Sequence, residues 1–235
     1  MKRRRVVTIT AIIQWAGEHS LVLLLAAGTV FSYYWLLKFK KELSIRCPAA
    51  ALCAVLHTVF GVLSVMIFAI VESGFNISAF GNMSLFGGVF FMPMVYYGAA
   101  KLFYRKTGDV FDVCTICMLF TLMCARINCI ISGCCQGNVI PGTALRWPTR
   151  EAEVVFYIIL LIILGRKVII NGANGMIYPL YMIAYGAFRF ISEFFRSSQQ
   201  QTGIFHIAHV WAIIAFALGL SIYYEIQRKK KKVRR

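Results

Sequence analysis

Long apolar stretches restrict the fold of this chain more than any other feature of its sequence. Seven mostly charge-free runs are present, at residues 21–37, 49–71, 84–100, 113–131, 154–165, 171–195 and 203–224. A helix needs about 20 apolar residues to cross a bilayer, so six of the runs are long enough by themselves. The fifth has only 12 residues and must extend into the charged residues on either side of it. The sequence therefore predicts an all-α polytopic membrane protein with about seven transmembrane helices.

Composition argues against a water-soluble fold. Hydrophobic residues make up 60% of the chain and charged residues 14%, whereas soluble domains contain about 25% charged residues. A chain of 235 residues has room for seven or eight crossings and for no separate soluble domain. We predict a single membrane domain, 1–235.

The loop cations predict an orientation through the positive-inside rule. With the N-terminus outside and the C-terminus inside, 16 lysines and arginines lie on the inner side and 7 on the outer side. The basic residues at positions 2–5 oppose this arrangement. We interpret residues 1–16 as an interfacial segment, in which residues 6–16 form a helix too short to span the bilayer. Residues 226–235 are predicted to form a basic cytoplasmic tail.

The formal net charge of +16 indicates a partner of opposite charge. Seven cations fall within the last eight residues, next to an apolar run, where anionic lipid headgroups are the natural partner. We therefore expect membrane association and no nucleic-acid binding. The simpler interpretation of the same cations is an anchor that only sets the orientation of the chain.

Eight cysteines are present, and most resemble ordinary buried residues. Cys114 and Cys117 have the spacing of a metal or redox motif, but they lie inside a predicted membrane helix and not beside further ligands. We expect no metal and no cofactor on this basis. Cys134 and Cys135 differ because they stand between glycines at a helix end, and their role stays open.

Two apolar runs carry charged residues, which are costly in a bilayer and are by default functional candidates. Arg126 precedes a glycine-rich segment, and Arg189, Glu193 and Arg196 fall on one stripe of a helix together with Tyr185. One interpretation is an Arg189–Glu193 pair that neutralises itself between helices. The alternative counts three arginines against one carboxylate, a surplus that suits a phosphate or carboxylate ligand.

Further candidates lie between and beyond these runs. Glu151 and Glu153 follow Pro148 at a predicted helix start, where Glu151 reads as a solvated cap and Glu153 as a candidate for a buried role. His206 and His209 are three residues apart on one helix face, which suits either proton transfer or hydrogen bonding between helices.

Four segments together resemble the prolipoprotein diacylglyceryl transferase family. Phe86-Gly-Gly resembles the family's His-Gly-Gly, residues 125–137 its Gly-Arg-Ile-Gly-Asn-Phe-(Ile/Leu)-Asn-(Gly/Ala)-Glu signature, and Trp147-Pro-Thr its His-Pro-Thr-Gln. Residues 185–196 are similar to the family's Tyr-Gly-x-x-Arg-Phe-x-x-Glu-Phe-x-Arg. Phenylalanine and tryptophan replace two family histidines, and cysteines replace an asparagine and an acid at Cys129 and Cys134. The chain thus resembles a divergent Gly-Cys-Cys-x-Gly branch.

The resemblance implies a multi-pass enzyme of the bacterial plasma membrane that transfers diacylglycerol from phosphatidylglycerol, or another anionic phospholipid, to the cysteine thiol of a lipobox-containing preprolipoprotein. Its implied catalytic residues are Glu153, His209 and Arg189. The implied substrate-binding residues are Arg126, Asn128, Gly133, Cys134, Cys135, Gly137, Tyr185, Glu193 and Arg196. Two alternatives stay open, namely a related glycerophospholipid transferase with another nucleophile and a non-enzymatic lipid-binding membrane protein.

Overall fold

The computed structural model describes residues 15, 17–79, 82–197 and 206–233, and in these ranges the chain is helical, without a strand. The expected all-α fold is confirmed. The expected interfacial segment 1–16 lies, apart from Trp15, outside the described residues. The helices are α1 (Ser20–Lys38), α2 (Cys47–Glu72), a 3₁₀ turn (Ile77–Ala79), α3 (Phe86–Phe90), α4 (Met92–Leu102), α5 (Thr107–Ile131), α6 (Thr149–Asn171), α7 (Ile177–Glu193) and α8 (Ile207–Val233).

Four of these helices are long and apolar enough to cross a membrane, namely α1, α2, α5 and α8 over Ile207–Lys232. The remaining segments are shorter or carry charges near their ends. When α3 and α4 are counted as one interrupted segment, the described part of the chain fits seven helical segments. Large apolar side chains are exposed along these helices, including Val22, Leu52 and Ile158, which suits a lipid environment.

The third apolar run, expected as one span over residues 84–100, is interrupted at Phe91 between α3 and α4. Pro93 follows in the first turn of α4, and because proline has no N–H, it cannot donate to the carbonyl of Val89. The hydroxyl of Tyr178 donates to that carbonyl at 2.9 Å instead. A side chain of α7 therefore satisfies the backbone group that the proline leaves free.

The fifth run gives a complete helix despite its 12 apolar residues. Helix α6 begins directly after Pro148 and continues through Arg166 and Lys167 to Asn171, for 23 residues. At 1.5 Å per residue this is about 34 Å, which is enough to cross a bilayer. The helix thus extends into both charged flanks, as the sequence requires.

Helix α7 begins at Ile177, later than the apolar run predicts. Glycines at 172 and 175 have φ values of 67° and 81°, which end α6 and form a turn. Asp112 of α5, which is fully buried, accepts hydrogen bonds from the backbone N–H groups of Asn174, Gly175 and Ile177 at 2.7–2.8 Å. This carboxylate caps α7 from a neighbouring helix, because the first N–H groups of a helix have no partner within it.

Helix α5 is central and packs against α1, α4, α6 and α7, while α7 packs along α8. At Gly186 an added Cβ would lie 2.7 Å from the carbonyl oxygen of Ala212, so α7 and α8 approach closely because this position has no side chain. The C-terminal ends of α5 and α7 and the N-terminal ends of α6 and α8 meet at one end of the bundle. The cations of the predicted basic tail begin in the last turns of α8, at the opposite end of a helix about 40 Å long.

Candidate functional site

Four charged side chains from three helices meet inside this end of the bundle. Arg126 comes from α5, Glu153 from the first turns of α6, and Arg189 and Glu193 from α7. Their exposed fractions are 3%, 3%, 5% and 5%. Buried charges are retained in proteins when they are paired, so the contacts among these four decide what the cluster can do.

Glu153 is shared by two arginines. Its Oε2 contacts Nε of Arg126, and its Oε1 accepts a hydrogen bond from Nη1 of Arg189 at 2.9 Å. Arg189 uses its other terminal nitrogen, Nη2, for Oε2 of Glu193 at 2.8 Å. The Arg189–Glu193 pair expected from the i,i+4 spacing is therefore present, but it forms part of a network that crosses three helices.

Two aromatic side chains complete the surroundings of Arg189. The guanidinium carbon lies 5.4 Å from the ring centre of Phe86, within the range of a cation–π contact. Tyr185, one helical turn earlier on α7, packs edge-on against the same ring at 5.8 Å. The Tyr185 hydroxyl and Nε of Arg189 are buried and have no hydrogen-bond partner among the described residues. Two donors thus remain for a ligand.

A cavity of about 320 Å³ opens beside this network. Its polar lining comes from α2, the segment before α3, α5, α7 and the start of α8, and comprises Glu72, Ser73, Asn82, Ser84, Arg126, Tyr185, Arg189, Glu193, Arg196, Ser197 and His206. Sequence reasoning did not select Glu72, Asn82 or Ser197, because each lies alone in its segment, without a motif or a helical stripe to mark it.

Arg196 lines the cavity from a different structural element than the one predicted. Helix α7 ends at Glu193, so Arg196 lies in the following turn and not on the helical stripe with Tyr185. A backbone bridge to Gly137 holds it in place, and Asn138 N–H donates to the carbonyl of Phe195 at 2.8 Å. The two segments that the sequence proposed as separate site elements are thus joined through their backbones.

Gly137 is required at this junction for steric reasons. An added Cβ would lie 2.1 Å from the carbonyl oxygen of Trp147, which is closer than any side chain can approach. Trp147 in turn packs against Phe195 with a ring separation of 4.8 Å. The glycine therefore allows residues 136–138 to lie between the Trp147 segment and the end of α7. Gly133, by contrast, forms the turn after α5 with a φ of 73° and has open space around it.

Three cysteines lie together next to this junction. The sulfur atoms of Cys129, Cys134 and Cys135 all lie within 4.8 Å of one another. A hydrogen bond from the Cys129 thiol lowers the pKa of the Cys135 thiol, and the charges of Arg196 and Arg126 act in the same direction against the effect of burial. Neither Cys134 nor Cys135 lines the cavity.

Asn128 and His209, two further predicted site residues, do not line the cavity. Asn128 accepts a hydrogen bond from the hydroxyl of Ser20 at 2.8 Å, which joins α5 to α1. Nδ1 of His209 accepts from the backbone N–H of His206 at 3.0 Å, and its ring packs against Phe190 and Phe194. Of the two histidines, His206 lines the cavity.

Comparison with known proteins gives one consistent result. A model of the family described as prolipoprotein diacylglyceryl transferase matches residues 13–224. The phosphatidylglycerol–prolipoprotein diacylglyceryl transferase of Dehalococcoides mccartyi is 21% identical over 248 residues, which cover 94% of this chain and 92% of that protein. The proteins of the same name from Geobacter sulfurreducens and Pasteurella multocida are 26% and 27% identical over 64% and 65% of this chain and 64% of their own length.

The family match covers most of the chain and includes all four motif segments on which the resemblance rests. The three helices that supply the buried charges also lie within it. This chain belongs to the prolipoprotein diacylglyceryl transferase family.

Proposed function

We propose that this chain transfers the diacylglyceryl group of phosphatidylglycerol to the cysteine thiol of a preprolipoprotein, as the names of its relatives describe. The observation that carries the proposal is the set of arginines beside the cavity. Arg126 and Arg189 are balanced by Glu153 and Glu193, whereas Arg196 lines the cavity outside this network.

A phosphodiester group carries one negative charge and suits the guanidinium group of Arg196 at the edge of the cavity. Arg196 has no carboxylate within salt-bridge distance among the described residues, and the Tyr185 hydroxyl and Arg189 Nε are available as donors. Guanidinium groups bind phosphate oxygens through charge-assisted hydrogen bonds. We therefore assign the phosphate of the donor lipid to the cavity between Arg189 and Arg196.

The reaction exchanges one bond to carbon for another. The acceptor thiol loses its proton, the thiolate sulfur attacks the glycerol carbon that carries the phosphate, and the carbon–oxygen bond breaks as glycerol phosphate departs with the electron pair. The arginines stabilise the charge that develops on the departing phosphate oxygen. Their buried positions strengthen this effect, since the surroundings have a low dielectric constant.

A base is needed to remove the proton of the acceptor thiol. The contacts and position of each candidate side chain distinguish among the candidates. Both carboxylate oxygens of Glu153 contact arginines, which stabilises its charged form and makes it a weak base. Nδ1 of His209 already accepts a backbone hydrogen bond. His206 lines the cavity, and we propose it as the base in place of the two residues that the sequence suggested.

We further propose seven crossings with the N-terminus outside and the C-terminus inside, in the plasma membrane of a bacterium. Cations at the end of α8 favour the cytoplasmic side, and the cavity lies at the start of α8, about 40 Å away. The cavity would then open on the outer side of the membrane. Residues 1–16 are proposed to lie along the membrane surface on that side.

A second candidate function is favoured by the thiols of Cys134 and Cys135. Their position near Arg196 suits a related glycerophospholipid transferase in which a protein thiol takes part. Alkylation of these cysteines separates the two candidates. Transfer to the peptide thiol persists at a measurable rate in the first case and stops in the second.

Arg196→Gln tests the proposed function in the purified chain, with labelled phosphatidylglycerol as donor and a lipobox peptide as acceptor. Loss of one charge-assisted hydrogen bond to phosphate lowers turnover by roughly 10- to 100-fold. Arg166→Gln, an exposed arginine near the other end of α6, is the matched control and keeps full turnover.

Complementation of a cell depleted of its own diacylglyceryl transferase gives the second readout. Wild-type chain and Arg166→Gln restore growth, and Arg196→Gln does so poorly. A wild-type chain that reaches the membrane, retains lipid in native mass spectrometry and neither rescues growth nor transfers label refutes the assignment in favour of a lipid-binding protein.

A further inference from the structure

The three-cysteine cluster at the end of α5 is not used by the proposed transfer reaction. Cys129 lies in the last turn of α5, and Cys134 and Cys135 lie in the turn that follows. All three thiols are free, and their sulfur atoms lie within 4.8 Å of one another. Cys114, Cys117 and Cys124 lie earlier in α5, toward its N-terminal end, and form no such group among the described residues.

The backbone around the cluster is arranged to bring the sulfurs together. Cys135 has a φ of 54°, a left-handed backbone conformation that residues other than glycine rarely adopt. Arg150 of α6 donates from Nη1 to the carbonyl oxygens of Cys129 and Cys134, both at 3.3 Å. The side chain of one arginine thus ties the end of the helix to the turn that carries the other two thiols.

The separation of the sulfurs suits a shared metal ion. A Zn–S bond of about 2.3 Å places the sulfurs of a tetrahedral site roughly 3.8 Å apart, so small side-chain rotations bring these three atoms to coordination distance. Thiolates select soft metal ions such as Zn²⁺ and Cu⁺. Cys134 is exposed, which gives an ion access from outside the bundle.

The charges nearby also favour an occupied site. Three thiolates with one divalent ion carry a net charge of −1, and Arg126 and Arg196 both act electrostatically on Cys135. Arg150 lies beside the same turn. An anionic metal–thiolate centre is therefore surrounded by cations, which stabilises it in the same way as a bound anion.

We propose that Cys129, Cys134 and Cys135 bind one thiophilic d¹⁰ metal ion through three thiolate sulfurs. Binding releases the thiol protons that are still present and leaves a fourth coordination position for water or another ligand. Such a site departs from the expectation of no metal, which rested on the position of Cys114 and Cys117 inside a helix.

The ion would fix the wall of the lipid cavity. The turn that carries Cys135 continues into Gln136 and Gly137, and the carbonyl of Gln136 accepts from both the N–H and the hydroxyl of Ser197, at 3.1 and 2.8 Å. Gly137 pairs with Arg196. A metal that holds the cysteine turn in place therefore also holds the arginine at the edge of the cavity.

Metal binding by the purified full-length chain tests this site without any assay of transfer. The protein is reduced, stripped with a chelator, and titrated with Zn²⁺ in one arm and Cu⁺ in the other, each against a competing chromophoric chelator. We expect one ion per chain in at least one arm, with three sulfur ligands at about 2.3 Å for zinc by X-ray absorption. Cys129→Ser, Cys134→Ser and Cys135→Ser each weaken binding by roughly 100-fold or more.

Two further variants keep the test decisive. Cys47→Ser removes an exposed cysteine of α2 and leaves the affinity unchanged. Cys134→His replaces one sulfur with a nitrogen ligand and retains an ion that shows two sulfurs by absorption spectroscopy. Less than one ion per chain in both arms, an ion without sulfur ligands in the wild type, or equal loss in Cys47→Ser overturns the proposal. The X-ray absorption spectrum of the wild-type chain tests the proposal even if a cysteine variant does not fold.

Discussion

Glu153 holds two arginines at once, and removal of its charge gives the sharpest test of the buried network. Glu153→Gln keeps the shape of the side chain and removes one negative charge from a site where Arg126 and Arg189 are 3% and 5% exposed. Arg189 still has Glu193 as partner, but Arg126 then has no carboxylate within salt-bridge distance among the described residues. The substitution therefore leaves a buried guanidinium without its counter-charge.

The size of the effect follows from this uncompensated charge. Breaking a buried ion pair by removing one partner costs about 3–5 kcal/mol of the free energy of unfolding. For a chain of this length each kcal/mol lowers Tm by about 2–4 °C, so we expect a fall of roughly 6–20 °C. Thermal unfolding in detergent without anionic lipid, followed by helical circular dichroism, measures it.

An anionic lipid restores part of the loss if the cavity binds phosphate. Lipid at about 100 times its dissociation constant stabilises the folded chain by about 2.7 kcal/mol, or roughly 5–11 °C in Tm. We expect phosphatidylglycerol to raise the Tm of Glu153→Gln more than that of the wild type, because the variant has one more uncompensated positive charge. Phosphatidylcholine, which has no net charge, has a smaller effect.

Glu151→Gln is the matched control in the same helix turn. The Glu151 side chain is 45% exposed, and its contact with Arg150 is 3.5 Å long. Exposed pairs contribute about 0–1 kcal/mol, so Tm changes by no more than about 4 °C. If Glu153→Gln behaves like Glu151→Gln, or if phosphatidylcholine rescues it as well as phosphatidylglycerol, the network does not work as described here.

Three further predictions concern other parts of the molecule. Asp112→Asn lowers the free energy of unfolding by about 3 kcal/mol in thermal unfolding, because the amide replaces a charged acceptor of three backbone N–H groups. Gly186→Ala lowers Tm by separating α7 from α8, whereas Gly98→Ala, where an added Cβ meets nothing within 4 Å, does not. In metal-free protein, Cys135 keeps its iodoacetamide reactivity from pH 8 down to pH 6, since its lowered pKa preserves the thiolate, while free glutathione slows by about tenfold per pH unit.

Hydropathy predicts the helices of this chain well because it is summed over neighbouring residues and does not depend on contacts between helices. The first, second and fourth runs each lie within one helix of sufficient length, and the last run does so from Ile207 onward. The break at Phe91 depends on Pro93 and is readable from the sequence in principle. Its stability depends on the Tyr178 hydroxyl, 89 positions from its acceptor, and a pattern along the chain carries no signal for such a contact.

Only the part of the site that depends on spacing within one helix was predicted. A helical stripe predicts that Arg189 and Glu193 are neighbours, and they form an ion pair at 2.8 Å. The stripe also included Arg196, but the helix ends three residues earlier and a backbone bridge to Gly137 sets the position of that residue. Contacts between helices, such as those of Glu153 with two arginines, require the packing of α5, α6 and α7 and are not encoded in any local spacing.

Phe86 shows how a replaced residue changes the chemistry that the site can perform. Its ring is buried against Arg189, at the position where the resemblance places a family histidine, and it offers that arginine a cation–π contact but no proton acceptor. Under the proposed function, the base then lies on another wall of the same cavity. His206 lies at the start of α8 and lines the cavity together with Phe86, so it can face the same substrate from the other side. Under the proposed function, the proton acceptor of this chain is therefore expected at His206, directly before α8.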